Sequence, residues 1–424
     1  MKNIRLALLL LLILLNGMRL TAQDINSPYS HFGIGNLYPG QTSVNTAMGG
    51  IGLGLKGNSF VNILNPASYS FFDSTSFLLQ GGLLVDFINM QTEELTANSR
   101  NVQLGYLLIG FPVTRWLRTS LGLTPYSQAG YLIYEDNEQD SIGRITNEFT
   151  ASGGINRAHV GLAIQPFRNF SVGANASFLF GPLDYQQIVD FPDSAFIYSM
   201  RVVNNRFVQD FMFEVGVQYA ARLSSSLTLT TGLVYELPAS LNTKRYLLAE
   251  TFVPALNDID NIYDTIVYYP DQKGTIELPT AFGGGFTLEK TNRWMAGMDV
   301  YYQKWEDYRS FGSNDSLDNS LRLAMGGQFI PSASATASFA QRINYRLGFH
   351  YNKTYLKLRG SQINEFGLTF GTGLPLKGLQ SMVNVAVEIG QRGTLNEGLI
   401  KENYVRISLG LSIYERWFIR SKFY

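Results

Sequence analysis

The stretch that decides the fold is VRISLGLSI, residues 405–413. Its apolar residues stand at every second position, and Arg, Ser and Gly stand between them. Side chains of a β-strand point alternately to opposite faces, so this pattern predicts a strand with one apolar and one polar face. The same period of two recurs at residues 383–390, 342–352 and 170–180, and no comparably convincing 3.6-residue pattern accompanies it. The chain is therefore predicted to be all-β.

The composition excludes several classes of protein. Of the 424 residues only 16% are charged, with 33 Lys and Arg against 33 Asp and Glu, whereas a soluble domain averages about 25%. Because there is no basic excess, the chain lacks the electrostatic footprint of a nucleic-acid-binding protein. Because it has no Cys, it offers no thiolate metal site, catalytic thiol or disulfide.

The first 23 residues are predicted to be a secretory signal peptide. Lys2 and Arg5 precede the ten apolar residues 6–15, and small residues around Ala22 supply a cleavage site. Ten apolar residues are too few to span a bilayer, although an uncleaved anchor is the alternative. Removal of 1–23 leaves 30 basic and 33 acidic residues, a net charge of −3.

Residues 73–415 are predicted to form a transmembrane β-barrel in the cell outer membrane. A soluble β-sandwich would also alternate, but its polar face is rich in Lys, Glu and Thr, whereas Gly, Ser and Asn prevail here. The apolar face carries many aromatic residues near strand ends, as in the girdles of a barrel whose outer face contacts lipid. These aromatic residues are Phe77, Phe87, Tyr106, Phe111, Trp116, Tyr131, Tyr134, Tyr235, Trp294, Tyr302 and Trp305.

Fourteen strand segments can be counted, and bacterial single-chain barrels require an even number. Short connections alternate with longer polar ones, among them 132–145, 184–203, 239–273 and 307–319, which indicates periplasmic turns and external loops. The segments are 74–90, 99–111, 116–131, 146–165, 169–183, 204–221, 225–238, 274–289, 292–306, 320–330, 338–353, 361–373, 380–391 and 402–415.

Residues 24–72 interrupt the alternation and are dense in Gly and in apolar residues. A barrel of fourteen strands has a lumen wider than its own side chains fill. We therefore predict that this segment is a hatch, or plug, inside the lumen, and a periplasmic arm is the alternative. Residues 416–424 are predicted to be a C-terminal periplasmic tail.

Two short motifs in this segment carry a family resemblance. Met48-Gly49-Gly50, followed by Asn65-Pro66-Ala67, resembles the hatch signature of the FadL/TodX outer-membrane family. The opening residues 27–35 and the closing residues 415–418 resemble its Bacteroidetes branch, to which PorV-like barrels are related. The resemblance implies a fourteen-stranded barrel plugged by an N-terminal hatch. The acidic residue common between the two motifs in that family is absent, and Ser68 follows Ala67 where Gly is usual.

The resemblance also implies a channel for uptake of hydrophobic small molecules of the fatty-acid or aromatic class. In such a channel the ligand sits against the hatch and leaves through a hatch shift or a gap in a kinked strand. Gly81-Gly82, Pro125, Gly153-Gly154 and residues 283–285 could supply kinks, or could only curve the barrel. A lumen lined only by paired charges and filled by the plug would count against transport.

The alternative is a structural or docking barrel that binds protein partners in an outer-membrane secretion or assembly machine. The candidate ligand- or partner-binding site is the predicted loop 239–273, which offers apolar and aromatic residues to either kind of partner. The residues of this site are Phe252, Val253, Pro254, Leu256, Tyr263, Tyr268 and Tyr269.

We predict no catalytic site, no cofactor and no metal. The three His residues lie in different elements, and no nucleophile stands with a base in a known motif. The GxGxxG spelling at residues 52–57 has no strand before it and no helix after it. Charged residues of the polar faces are instead predicted to form a network in the lumen; they are Asp299, Arg342, Arg346, Glu388 and Arg406.

Overall fold

The protein is a closed antiparallel β-barrel of fourteen strands, seen in a computed structural model that describes residues 27–417 except 58, 195, 255–259 and 377–380. Each strand pairs with its sequence neighbours, and the last strand pairs with the first over all 16 residues, Lys401 with Gln91 through Arg416 with Ser76. Closure leaves no unpaired edge at the seam, as the lipid core requires. Among the described residues, no helix is long and apolar enough to cross a membrane.

The strands are β1 (Ser76–Gln91), β2 (Thr96–Pro112), β3 (Leu117–Gln128 and Tyr131–Gln139), β4 (Gly143–Phe167), β5 (Phe170–Asp190), β6 (Ser199–Arg222), β7 (Leu227–Glu236 and Ala239–Val253), β8 (Asn261–Leu278 and Ala281–Lys290), β9 (Trp294–Gln303), β10 (Ser320–Phe329), β11 (Asn344–Leu358), β12 (Ser361–Pro375), β13 (Met382–Arg392) and β14 (Lys401–Arg416). Strands β3, β7 and β8 are interrupted for two residues each and continue in the same sheet.

The predicted all-β class, the barrel and its fourteen strands are confirmed, but three of the long external loops are wrong. Residues 132–145, 184–203 and 239–273 are mostly strand, because β3 to β8 continue well past the interruptions on the side of the external connections. We call this extension the outer wall and define it as the described residues of 131–151, 182–208 and 239–278, which leaves out 195 and 255–259. The loop between β9 and β10, at 304–319, is irregular apart from short elements.

The aromatic residues divide between the two faces of the barrel. Trp116, Tyr134 and Tyr235 are exposed on the outside, as a girdle requires, whereas Tyr106 and Trp305 are buried in the lumen. The prediction that all of them line the lipid face was therefore wrong for the inward set. Alternation separates the residues of a strand into two faces but does not show which face an aromatic residue marks as the lipid face, because aromatic residues occur on both.

The N-terminal residues 27–72 lie inside the barrel and are mostly buried. They contain short helices at Pro28–His31, Ser43–Thr46 and Pro66–Phe71, and a two-residue strand at Asn36–Leu37. Apolar side chains of this segment pack against inward residues in one cluster near the external side and in two others below it. The segment therefore lies in the lumen and packs against the inner face of the strands.

Candidate functional site

The N-terminal segment is attached to the barrel through its backbone. Asp299 of β9 accepts hydrogen bonds at Oδ2 from the N–H groups of Gly52, at 2.6 Å, and Leu53, at 2.8 Å. Thr369 of β12 accepts from the Gly49 N–H at 2.9 Å. Because Asp299 is only 5% exposed, its carboxylate takes the place of water for two buried N–H groups.

The residues of the Asn-Pro-Ala motif build a turn against the barrel wall. The Asn65 side chain accepts from the Ala67 N–H at 3.1 Å and so caps the short helix that begins at Pro66. Its amide nitrogen donates to the Leu53 carbonyl at 2.8 Å and to the Val217 carbonyl of β6 at 3.2 Å. The motif therefore joins two parts of the N-terminal segment to the wall.

The Met-Gly-Gly motif lies where the segment crosses β10, β11 and β12. Met48 is completely buried, and Gly49 and Gly50 have φ of +68° and +84°, in the region that favours glycine. A Cβ on Gly49 would lie 2.6 Å from carbonyl oxygens of Met325 and Phe349. Both glycines are required by the backbone conformation, and Gly49 also by contact with the wall.

Inward-facing glycines of the strands form a ring around the segment, which we call the glycine belt. A Cβ on any of its members would come within 2.5 Å of an atom of the N-terminal segment. At Gly348, for example, it would lie 2.0 Å from the Gly49 nitrogen, and at Gly232 it would lie 1.8 Å from the Leu53 oxygen. The members are Gly161, Gly173, Gly216, Gly232, Gly326, Gly348 and Gly371.

A cavity of about 250 Å³ remains between the segment and the wall, and both charged and apolar side chains line it. Arg406 of β14 donates to Asp86 of β1 at 2.7 Å and lies 3.5 Å from Glu388 of β13. Arg392 of β13 donates to Glu402 of β14 at 2.7 Å. Of the predicted network, Glu388 and Arg406 are thus brought together. Asp299 instead accepts from backbone N–H groups, and Arg346 donates to the amide oxygens of Gln328 and Asn384. Arg342 was placed wrongly, because it ends a short helix in the turn before β11.

Three side chains that line the cavity have metal-ligand atoms close enough together to bind one metal ion. The ligand atoms of His350, Glu365 and Glu388 lie within 4.8 Å. Glu388 already accepts a hydrogen bond from the Tyr404 hydroxyl at 3.0 Å and faces the Arg406 guanidinium. Since that cation balances the carboxylate, we interpret the group as part of the charge network.

Above this cavity, packed apolar side chains fill the lumen on the external side. Trp305 and Tyr308, from the β9–β10 loop, are completely buried together with Ile34 of the N-terminal segment. The Trp305 ring stacks on Tyr355 of β11 at 4.5 Å between centroids, and the Tyr355 hydroxyl donates to the Gly35 carbonyl at 2.6 Å. The apolar lining of this region is therefore already in contact with the chain's own residues.

A small polar pocket lies beside this cluster, between the N-terminal segment and the β9–β10 loop. It brings together His31, Asp315 and Arg206. Burial lowers the pKa of the His31 imidazole and raises the pKa of the Asp315 carboxyl. Both shifts favour the neutral forms of these two groups.

The barrel wall has a break between β2 and β3. These strands pair only over Leu107–Pro112, although both continue outward. Beyond the paired part, Asn36 and Leu37 of the N-terminal segment pair antiparallel with Gln128 and Ser127 of β3. Register shifts lie close by, after Gly82 of β1 and after Pro125 of β3.

The predicted binding loop 239–273 is a β-hairpin of the outer wall, formed by β7 and β8. Three register shifts interrupt its alternation, which is why the sequence pattern did not reveal the strands. Leu256 lies outside the described residues, and Phe252 is buried under Arg201, whose guanidinium is 4.6 Å from the ring centroid. The remaining candidates are exposed; they are Val253, Pro254, Tyr263, Tyr268 and Tyr269.

The closed barrel, its strand count and its inward N-terminal segment define a FadL-type outer-membrane barrel. A FadL homologue of Pseudomonas aeruginosa matches at TM-score 0.59 and 12% identity, over 90% of this chain and 99% of that one. The toluene transporter TodX of Pseudomonas putida matches at TM-score 0.57 and 16% identity, over 91% of this chain and 100% of that one. The toluene transporter TbuX of Ralstonia pickettii matches at TM-score 0.58 and 13% identity, over 88% of this chain and 98% of that one. At these sequence identities the matches show that the folds are similar, and they show nothing more.

The family is decided by the sequence itself. The profile of the BamG family matches residues 1–424, and the chain belongs to that family. No curated protein matches it. The barrel is an outer-membrane protein, and the structures that it resembles are named as transporters and channels.

Proposed function

We propose that this protein is a non-catalytic docking barrel within a larger outer-membrane complex of the kind that secretes or assembles proteins. The observation that carries the proposal is the packing of residues 27–72 inside the lumen, and we infer from it that this segment is a fixed plug. Hydrogen bonds join that segment to β6, β9 and β12, and the cavity beside it holds ion-paired side chains among apolar ones. A hydrophobic molecule there would separate charges from their partners, at a cost of several kcal/mol.

The outer wall supplies the surface that such a role needs. Exposed aromatic side chains follow the β7–β8 hairpin, with Tyr263 65% exposed and stacked on Tyr198 at 4.0 Å between centroids. Tyr268 and Tyr269 of β8 are also exposed, and as successive strand residues they point to opposite faces of the hairpin. Exposed apolar patches outside a membrane band mark protein interfaces, and Tyr is enriched in their energetic centres.

Extraction of the native complex tests the proposal. Mild detergent should release this barrel together with other outer-membrane proteins, detected by mass spectrometry of the purified complex. Replacing the three wall tyrosines, as Tyr263→Ser, Tyr268→Ser and Tyr269→Ser, should weaken that complex. The matched control replaces three exposed tyrosines of the barrel band, Tyr219, Tyr235 and Tyr345. Recovery of monomers alone from the unmodified protein would refute the docking function.

Uptake of hydrophobic small molecules is the second candidate, and the break between β2 and β3 favours it. A break in the wall offers an exit from the lumen to the membrane without passage through the whole plug. This candidate predicts that lipid or detergent tails copurify between the N-terminal segment and the wall. It also predicts that vesicles containing the protein take up radiolabelled toluene faster than vesicles containing an unrelated barrel, and equal rates would exclude it.

A further inference from the structure

The outer part of β3, Tyr131–Gln139, has an edge toward β2 with which no described strand pairs, and we call it the free edge. On its other side it pairs without interruption with β4, from Tyr131 with Ala151 to Gln139 with Gly143. Among the described residues, no strand pairs with it on the side toward β2. An antiparallel ladder directs the N–H and C=O groups of every second residue away from the partner strand, so this edge presents a row of unpaired donors and acceptors.

The same side of β3 already accepts a strand from this chain. Directly below the free edge, Asn36 and Leu37 pair with Gln128 and Ser127. The Tyr38 N–H donates to the Tyr126 carbonyl at 2.9 Å, and the Ser27 N–H donates to the Gly130 carbonyl at 3.0 Å. Strand addition at this edge is therefore part of the fold, and within the described residues it reaches as far as Gly130.

The charge of the free edge indicates what kind of segment it binds. Residues 135–140 read EDNEQD, which places four acidic residues in six positions. Within the described part of the chain, none of the four takes part in an ion pair. The outer wall holds 13 acidic and six basic residues, a net charge of −7 against −3 for the chain without residues 1–23. Residues 135–140 thus contribute four of these acidic residues within six positions, without any basic residue among them.

The apolar part of the edge lies nearer the membrane. Leu132 and Tyr134 are 38% and 63% exposed, while Ile133 packs against the buried cluster on the inner face. Nine residues of strand extend about 30 Å, which is the length of a typical peptide bound by strand addition. One end of that length offers apolar contacts, and the other offers carboxylates.

We propose that the β3 edge, Tyr131–Gln139, binds an extended segment of a partner protein by strand addition, with apolar side chains opposite Leu132 and Tyr134 and Lys or Arg opposite Asp136 and Glu138. The inference rests on the proposed docking function and names where one partner binds. Backbone hydrogen bonds hold the segment, and the acidic residues select it.

Peptide binding to the purified full-length protein tests the inference. The probe is a nine-residue peptide of alternating Val and Thr with two Lys residues toward one end, labelled for fluorescence anisotropy. It should bind saturably, and its counterpart with Glu in place of Lys should bind at least tenfold more weakly. Of two versions with alternate backbone amides N-methylated, one should bind at least tenfold more weakly than the parent, because it loses the amides that face β3.

Two matched variants locate the binding. Changing the edge with Asp136→Lys and Glu138→Lys should weaken binding at least tenfold, whereas Asp264→Lys with Asp271→Lys on β8 should leave it within twofold. A photoreactive phenylalanine analogue at Tyr134 should crosslink the peptide, and the same analogue at Tyr268 should not. Crosslinking at 268 alone, absence of saturable binding, or equal binding of both N-methylated versions would overturn the inference.

The two proposals fail separately. If the peptide does not bind while the native complex survives extraction, the docking function stands and this site is wrong. If the peptide binds as described while extraction yields only monomers, the site stands and the docking function is wrong.

Discussion

The glycine belt predicts that a single methyl group on the wall will loosen the N-terminal segment. In Gly348→Ala the new Cβ would lie 2.0 Å from the Gly49 nitrogen and 2.2 Å from the Met48 carbonyl carbon. Ordinary van der Waals contact begins near 3.4 Å, so the segment has to move by about 1.4 Å. Both atoms belong to backbone, and no side-chain rotation relieves the clash.

The expected cost follows from the contacts that this movement strains. Overpacking of a well-packed interior costs about 1–3 kcal/mol. The Gly49 N–H bond to Thr369, at 2.9 Å, and the Arg322 bond to the Gly49 carbonyl, at 3.2 Å, contribute about 1 kcal/mol each. The total is about 3–5 kcal/mol, which corresponds to at least a hundredfold change in an opening equilibrium.

Amide hydrogen exchange measures that opening directly, because exchange of a protected N–H reports the free energy of local unfolding. Residues 46–53 should exchange at least a hundredfold faster in Gly348→Ala, in the same detergent. The matched control is Gly81→Ala in β1, where the nearest atom to the new Cβ is 3.9 Å away, so exchange should not change there. Equal protection of residues 46–53 in both variants would refute the argument that the wall needs glycine at these positions because the N-terminal segment lies so close to it.

Three further substitutions test other contacts. Asp299→Ala leaves two buried N–H groups without an acceptor. It should lower the opening free energy at residues 52 and 53 by about 2–6 kcal/mol, which is measured as faster amide exchange. Asp299→Asn should restore most of the protection. Trp305→Ala removes a completely buried ring stacked on Tyr355 and should lower the free energy of unfolding in urea by about 3–5 kcal/mol. Arg406→Gln leaves the Asp86 carboxylate buried without its partner and should lower the free energy of unfolding by about 3–5 kcal/mol. A loss below about 1 kcal/mol would contradict the ion pair in the lumen.

The strands within the membrane could be read from the sequence because lipid enforces a strict alternation there. Residues 405–413 lie in β14, whose apolar and polar positions face lipid and lumen as predicted. In the outer wall the same rule fails, because water on the outside no longer requires an apolar face and bulges shift the register of β8. The hairpin 239–278 was therefore mistaken for a loop.

The interior could be predicted less well, because its contacts join distant parts of the chain. Glycine at an inward position suggested kinks or curvature, and only the structure places the backbone of residues 48–53 against Gly348 and Gly232. Likewise, Asp299 was expected in a charge network, but its main partners are the N–H groups of Gly52 and Leu53. Backbone partners of this kind leave no pattern in the side-chain sequence.

The contacts of the first described residues also constrain the order of folding. The Ser27 hydroxyl bonds to Arg392, at 2.6 Å, and to Glu402, which lie 365 and 375 residues further along the chain. These bonds cannot form until the last two strands have been delivered to the membrane. Sealing of the seam and ordering of the chain's beginning are therefore coupled late events, and a polypeptide truncated before β13 would lack both.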